Sequence, residues 1–416
     1  MLQTPWAILL CKFSGNDSEP FPRKYYESLF TKVGQGTRNM VDFFQDMSHG
    51  NLDLSGSQVF GWFTLDQKRS DYSGSGANSQ GRQDLIDWAR AKAAADGGVD
   101  FSKFFNVVVC MNVQTDLFGG GSGAVCDNLS MQPSLLGQEM GHGYLLDHSR
   151  QEGSTADYMD NWDVMSTAGP YEAADPNYGF IGPGLNAANM DSRGWLDESR
   201  LWTQTPASYN SEQTVQLRPL HRRDLPGFLA ARVWDGYLVE FRVPEKWDAG
   251  IPRAAVLVHR FEDNHSYIEP GNRGNFDLIK GDKFQIGNPA NYNENSLVVE
   301  VLDIDAPGHV ATLGIKAHIY IRPRVPLEGP FHYLGGVLQD GGGWIWINGH
   351  LVPVPPRSEL IGFLQDIAAV QMADAIPNSI RSQVKAAGYQ SIVARASARL
   401  GKLTGFREPR AKSSEN

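Results

Sequence analysis

The stretch Gln138-Glu139-Met140-Gly141-His142-Gly143-Tyr144-Leu145-Leu146-Asp147-His148 carries residue types that can hold a divalent cation and activate a water. It reads Q-E-x-x-H-x-x-x-x-x-H, one residue away from the H-E-x-x-H pattern of zinc-binding helices. Positions 138 and 142 lie four apart, so on a helix they share a face one turn apart. Two donors so placed can hold one ion from the same side. Glu139 sits about 100° further round the helix. From there it can reach a water on the ion without taking a ligand position. His148 comes six residues after His142, where a continuous helix would put it on another face. The chain is therefore expected to leave the helix near residues 143–146 and fold back, with Gly143 easing the exit.

Zinc catalysis uses three protein ligands and keeps a fourth position for water. The ion lowers the pKa of that water toward about 7, and a carboxylate takes its proton. Glu139 is the candidate general base. Gln138 offers a neutral hard oxygen, which suits zinc less well than imidazole. Weaker zinc binding than three histidines would give is expected. A second element follows at Asn161-Trp162-Asp163-Val164-Met165-Ser166-Thr167. It resembles a Met-turn, in which a methionine lies under the ligands and supports them without binding the ion. A lone Glu-x-x-His, a lone His148 or a lone Met165 would be unremarkable. Their conjunction at fixed spacing is improbable by composition.

On these two elements the chain resembles the metzincin metallopeptidases, and most closely the gametolysin-like group. Some members of that group carry Gln at the first ligand position, as Gln138 does here. The resemblance covers residues 1–200 and is strongest over 134–168. It implies a zinc endopeptidase acting on protein or peptide substrates. Gln138, His142 and His148 would hold Zn2+, Glu139 would be the base, and Met165 would support the site. In some metzincins a Tyr shortly after the Met-turn supports the oxyanion, a position Tyr171 could fill, although core or rim packing is the simpler expectation for it. One residue departs from the pattern. Metzincins usually have Gly three residues after the second ligand, where the chain turns with positive φ, and this chain has Leu145. A different class of protein therefore stays open: a non-catalytic binding protein that keeps the fold with a weakened or lost metal site.

The elements that must position these residues can be read coarsely. The expected class is α+β. A metzincin-like catalytic domain, with a twisted, mostly parallel sheet and an active-site helix, spans 1–204. A β-sandwich domain follows at 205–322, then a hairpin and helical module at 323–401 and a disordered tail at 402–416. Trp6–Phe13 and Phe104–Met111 are apolar runs that suit buried strands, the second a central one. Tyr25–Lys32, Thr37–Met47 and Arg82–Ala95 carry helical periodicity. The glycine run at 119–123 lacks the Lys-Ser/Thr ending of a phosphate loop. The following Ala124–Asn128 is read as an edge strand that could pair with extended substrate.

From 205 to 322 short strand-like segments alternate with turn residues, the spacing of a sandwich. Lone His221, His259, His265, His309 and His318 read as surface or strand residues. Beyond the stiff Arg322-Pro323-Arg324-Val325-Pro326, Trp344–Ile347 and His350–Val352 flank Asn348-Gly349, a type I′ hairpin signal. Amphipathic helices are expected from Ser358 and over Ser379–Leu400.

With 47 acidic against 37 basic residues, the net charge of −10 argues against nucleic acid as a main partner. No run of eighteen apolar residues offers a membrane span. The apolar N-terminus lacks a basic region and a cleavage site, and reads as a strand and not as a signal peptide. Three cysteines are too few for a disulfide scaffold, with a Cys110–Cys126 bridge left open.

Overall fold

The computed structural model describes residues 1–319 apart from 75–78, 167–169, 206–207, 235 and 292–293, together with 343–347 and 350–354. Residues 1–322 form one compact unit and 323–416 a second. The architecture is mixed α+β, with several sheets and few helices.

The first sheet contains β1 (Trp6–Lys12), β2 (Gln58–Thr64), β3 (Asn106–Met111), β4 (Phe118–Gly120) and β5 (Gly123–Cys126), in the order β2-β1-β3-β5-β4. The first four strands run parallel; β4 is antiparallel to β5. Every residue of β3, and every residue of β1 but Lys12, is buried. That follows from layers on both faces of a parallel sheet. The alternation of a strand divides β1 between two cores. Trp6, Ile8 and Leu10 pack with α1 (Arg23–Phe30) and α2 (Met40–Met47). Ala7, Leu9 and Cys11 pack with Leu85, Ile86, Ala89 and Ala93 of α3 (Ser79–Gly97). Asn39 starts α2 by accepting from the Asp42 amide while Asp42 accepts from the Asn39 amide, a capping box.

The expected edge strand is corrected here. Gly123–Cys126 is an interior strand, buried at all four residues, and Phe118–Gly120 is the edge. The glycine run belongs to the edge strand and its hairpin. At Gly119 an added Cβ would fall 2.0 Å from the carbonyl oxygen of Glu139. Only glycine lets the strand lie this close to the helix that carries Glu139.

The second layer is a six-stranded sheet and a four-stranded sheet around one core. The first contains β6 (Arg150–Gln151), β7 (Leu201–Thr203), β9 (Ala230–Val233), β10 (Tyr237–Arg242), β11 (Ala255–Glu262) and β12 (His265–Ile268), in the order β7-β9-β10-β11-β12-β6. The second contains β8 (Glu212–Leu217), β13 (Lys283–Ile286), β14 (Ser296–Asp305) and β15 (Val310–His318), in the order β8-β15-β14-β13. Val233, Phe241 and Val258 of one meet Leu217, Val299 and Leu313 of the other. The strand immediately after His148 belongs to this layer, because β6 pairs parallel with β12. Trp247 packs its ring against Phe43 of α2, 5.1 Å between centroids. Residues on both sides of position 204 thus share a sheet and a core within one unit.

Cys11, Cys110 and Cys126 are buried free thiols. Cys110 and Cys126 face each other on adjacent strands with Sγ atoms 3.6 Å apart and no bridge between them. In the second unit, Gly343–Ile347 and His350–Val354 pair antiparallel with Ile347 opposite His350. The Asn348-Gly349 turn, the linker, the two helices and the tail lie outside the described residues. Among the described residues no helix is long and apolar enough to cross a membrane.

Candidate active site

Helix α4 (Pro133–Gly143) begins with proline at its first position, where the missing N–H costs nothing. Gln138 and Glu139 lie on it, each only 4% exposed. Its end has a defined geometry. The Leu145 amide donates to the His142 carbonyl at 2.9 Å, and the Leu146 amide to the Gly141 carbonyl at 3.2 Å. These two bonds make a Schellman motif with Leu145 in the left-handed position. Leu145 has φ of +65° and its side chain is half exposed. The left-handed turn is therefore present although the glycine that suits it is not. The strain is about 1–2 kcal/mol. The turn folds the chain back so that the His142 and His148 rings stand edge to face, 4.7 Å between centroids.

Met165 lies under the helix, fully buried. A Cβ at Gly141 would fall 2.8 Å from its Sδ, so glycine there admits the methionine. The turn carrying Met165 is tied to the His148 segment. The Ser149 amide donates to the Met165 carbonyl at 3.2 Å. Asp163 Oδ1 accepts from the Met165 amide at 2.7 Å and from Ser149 Oγ at 3.1 Å. Ser149 Oγ also meets Ser266 Oγ of β12 at 2.8 Å.

The polarity of both imidazoles is set by their partners. His142 Nδ1 lies 2.8 Å from the Leu146 carbonyl. A carbonyl only accepts, so Nδ1 carries the proton and Nε2 keeps its lone pair. His148 Nδ1 lies 3.2 Å from Asp157 Oδ2, and Asp157 Oδ1 accepts from Arg150 Nε at 2.8 Å. Partial burial alone would raise the Asp157 carboxyl, but Arg150 and His148 hold it below the usual carboxylate range. Nδ1–H again donates, and the His148 Nε2 lone pair accepts from the Tyr158 hydroxyl at 2.9 Å. His265 Nδ1 meets the His148 carbonyl at 2.8 Å, which fixes the backbone of that residue from the second layer. A ring with Nδ1–H held by an oxygen and Nε2 left as the donor atom is the arrangement of metal-ligating histidines.

Gln138 donates from Nε2 to Glu139 Oε1 at 3.2 Å. Burial pushes the Glu139 carboxyl up to about 7, against the pull of the Gln138 amide and of Arg82. Arg82 pairs with Asp116 at 2.6 Å and lies over the Phe118 ring of β4, 4.9 Å to its centroid. Burial, and then the neighbouring His148, lower the His142 pKa and keep that imidazole neutral.

The structure thus brings Gln138, Glu139, His142, His148 and Met165 to one place. Tyr171 stands elsewhere. Its ring packs edge to face on Trp162, 5.5 Å between centroids, and its amide donates to the Asn161 carbonyl at 2.9 Å. The hydroxyl bonded to His148 belongs to Tyr158, between His148 and the turn that carries Met165. His265 carries no sequence signal for the site, because its place depends on β6 joining the second layer. His259 and His265, read as surface or strand residues, are strand residues and buried.

Among the described residues no cluster of three or more His, Cys, Asp or Glu is placed to hold a metal. The candidate donors are instead two imidazoles and one amide oxygen. Their chemistry fits zinc: both Nε2 atoms hold lone pairs, and both Nδ1–H groups are already anchored. An ion at His148 Nε2 would replace the Tyr158 hydroxyl there. Compared with known proteins, the chain matches no family model, no curated protein and no solved structure. What the site can do is read from its own geometry.

Proposed function

We propose that the protein is a zinc-dependent endopeptidase of the metzincin type that hydrolyses peptide bonds of protein substrates. The observation that carries this reading is the common polarity of His142 and His148, set one helix turn and one chain reversal from Gln138, with Glu139 beside them. Gln138, His142 and His148 would hold the ion. When bound, zinc supplies Lewis acidity toward the scissile carbonyl and makes the attacking water more acidic. Glu139 takes the proton of that water and passes it to the leaving amine as the C–N bond breaks. Asp157 and the Leu146 carbonyl hold the two imidazoles in the tautomer that makes Nε2 the lone-pair nitrogen, and at His148 an ion would take the place of the Tyr158 hydroxyl. Among the described residues strand β4 has a partner strand on one side only, and Glu139 lies against it. Its outer edge suits main-chain pairing with an extended peptide.

The test is digestion of an unfolded protein with and without chelator, by the natural chain and by Glu139→Ala. The expected result is chelator-sensitive cleavage restored by zinc, and none by Glu139→Ala. Cleavage that survives both would contradict the mechanism.

A further inference from the structure

The edge strand β4 presents a different group on each of its two faces. Phe118 packs toward α3, against the core that holds Leu85 and Ile86. Gly119 points the other way, toward the α4 backbone at Glu139. A peptide added at the outer edge of β4 would alternate in the same way. Its residue opposite Phe118 would share the Phe118 face. Arg82 occupies that face. Its guanidinium lies over the Phe118 ring, 4.9 Å from the centroid.

This arginine is held at one corner and open at the others. Its Nε donates to Asp116 Oδ2 at 2.6 Å. The second oxygen of Asp116 accepts from the Tyr72 hydroxyl, so both oxygens of that carboxylate are engaged. Among the described residues neither Nη atom of Arg82 donates to a protein acceptor. The side chain is 30% exposed and neither Nη is enclosed, so a ligand can reach both. Arg82 also stands close to the proposed site. Its positive charge favours the ionised forms of the Glu139 carboxyl and the Tyr158 hydroxyl, against the effect of burial. A guanidinium whose plane is fixed and whose Nη groups are open matches a carboxylate, which can accept from both at once. A lysine brought to the same place would be repelled, and a neutral amide could accept without the gain from charge.

We infer that Arg82 is a specificity residue: it binds the carboxylate of an aspartate or glutamate side chain at the one position of the extended peptide that lies opposite Phe118. The inference rests on the peptidase reading for the identity of the ligand as a peptide paired with β4. Asp116 and Tyr72 hold the guanidinium in place, and the two Nη groups meet the substrate. The net charge of −10 disfavours acidic peptides in general, so the preference is confined to this position.

The experiment is fluorescence polarisation with the Glu139→Ala chain in the presence of zinc, which binds peptide without turning it over. Labelled decapeptides, amidated at the C-terminus, carry Glu, Gln, Lys or Ala at each position in turn on a Val/Ser background. At one position Glu should bind about three- to tenfold tighter than Gln, with Lys weakest. The gap should narrow as salt rises. Adding Arg82→Gln should bring the Glu-to-Gln ratio close to one. Adding Arg82→Lys should keep part of it, because the charge remains and the fork is lost. An Arg82 that only supports the fold would weaken both peptides alike and leave the ratio unchanged. Equal affinity for Glu and Gln at every position, a ratio that survives Arg82→Gln, or no binding of any peptide overturns the inference. A second set with free C-termini separates the two sources of a carboxylate, and a preference seen only there overturns the side-chain assignment. Digestion of an unfolded protein by the natural chain is read separately. If cleavage stands and the acidic preference is missing, the role of Arg82 alone falls. If there is no cleavage, the peptidase reading falls while the Glu-to-Gln ratio still reads Arg82.

Discussion

Two groups of buried polar side chains flank the turn that carries Met165, and they are built to different ends. On the α4 side, partners fix the orientation of Glu139, His142 and His148, and the His148 Nε2 lone pair is held only by the Tyr158 hydroxyl. On the side of the second layer, the partners close on one another. Arg242 is fully buried and donates to Glu240 Oε1 at 2.9 Å and to Asp248 Oδ2 at 2.7 Å. Glu240 accepts from the Ala187 amide, and His259 meets Asp160. The first group resembles a tool held open, the second a joint between layers. Asp163 connects them, since it accepts from Met165, Ser149 and Asn189. The lesson is that burial and charge alone do not mark a functional site; direction of the donor atoms does.

Substitutions should separate the two groups. The largest effect is expected at Glu139. Its replacement by alanine should lower peptidase activity roughly 10²–10⁴-fold, the range for a positioned general base, with no loss of thermal stability. Equal loss of folding and activity would merge the two groups. Arg242→Met should do the reverse. It leaves Glu240 and Asp248 buried without their cation, a cost of about 3–5 kcal/mol. The expected outcome is a melting point lower by about 10 °C, with zinc affinity of the folded chain unchanged.

Asp157→Asn probes the boundary between holding and folding. The carboxylate orients His148 from behind, and loss of such a partner weakens metal binding about 10–100-fold. Competition against a zinc indicator measures it. Unchanged affinity would mean that His148 is not a ligand.

A pH titration of stability tests the joint between the layers at a point far from the site. His49 Nε2 meets the Leu220 carbonyl at 3.0 Å, and His49 Nδ1 accepts from the Asp197 amide at 3.2 Å. Burial lowers the His49 pKa to about 4 from 6.5. Between those values the unfolded chain binds the proton and the folded chain does not. Stability is thus fully present above pH 6.5 and lost as pH falls toward 4, by up to about 1.4 kcal/mol per pH unit. His221, pushed down to about 3 by burial, adds a loss of the same sign. Denaturant melts should show the slope, and His49→Gln should reduce it. A slope unchanged by that variant would remove His49 from the account.

The smallest effect concerns Leu145. Glycine fits its left-handed backbone without strain, so Leu145→Gly should raise stability by up to about 1 kcal/mol. A loss of stability would mean that the half-exposed leucine makes contacts that outweigh its strain.

The α4 end of the site was legible because helical spacing is local. Four residues separate Gln138 from His142, and no distant contact is needed to place them on one face. The exit near 143–146 followed from the same arithmetic, and Met165 from its phrase. The edge strand was misread because a glycine run looks like a loop. Its strand character comes from pairing with β5 and from contact with the backbone of Glu139. His265 was invisible for a related reason. It lies on β12 and gains its place from β6 pairing with that strand, a contact between residues more than a hundred positions apart. Most strands of the second layer were readable from their alternation. His265–Ile268 was too short, and too close to Ala255–Glu262, to stand out.

The central claim is that Gln138, His142 and His148 converge on one zinc ion. Anomalous scattering at the zinc edge from crystals grown with zinc tests it most directly. The account predicts a single strong peak within about 2.0–2.2 Å of both Nε2 atoms and of the Gln138 carbonyl oxygen, with the Tyr158 hydroxyl moved off His148. A site without a peak, or a peak that Gln138 does not touch, would contradict it.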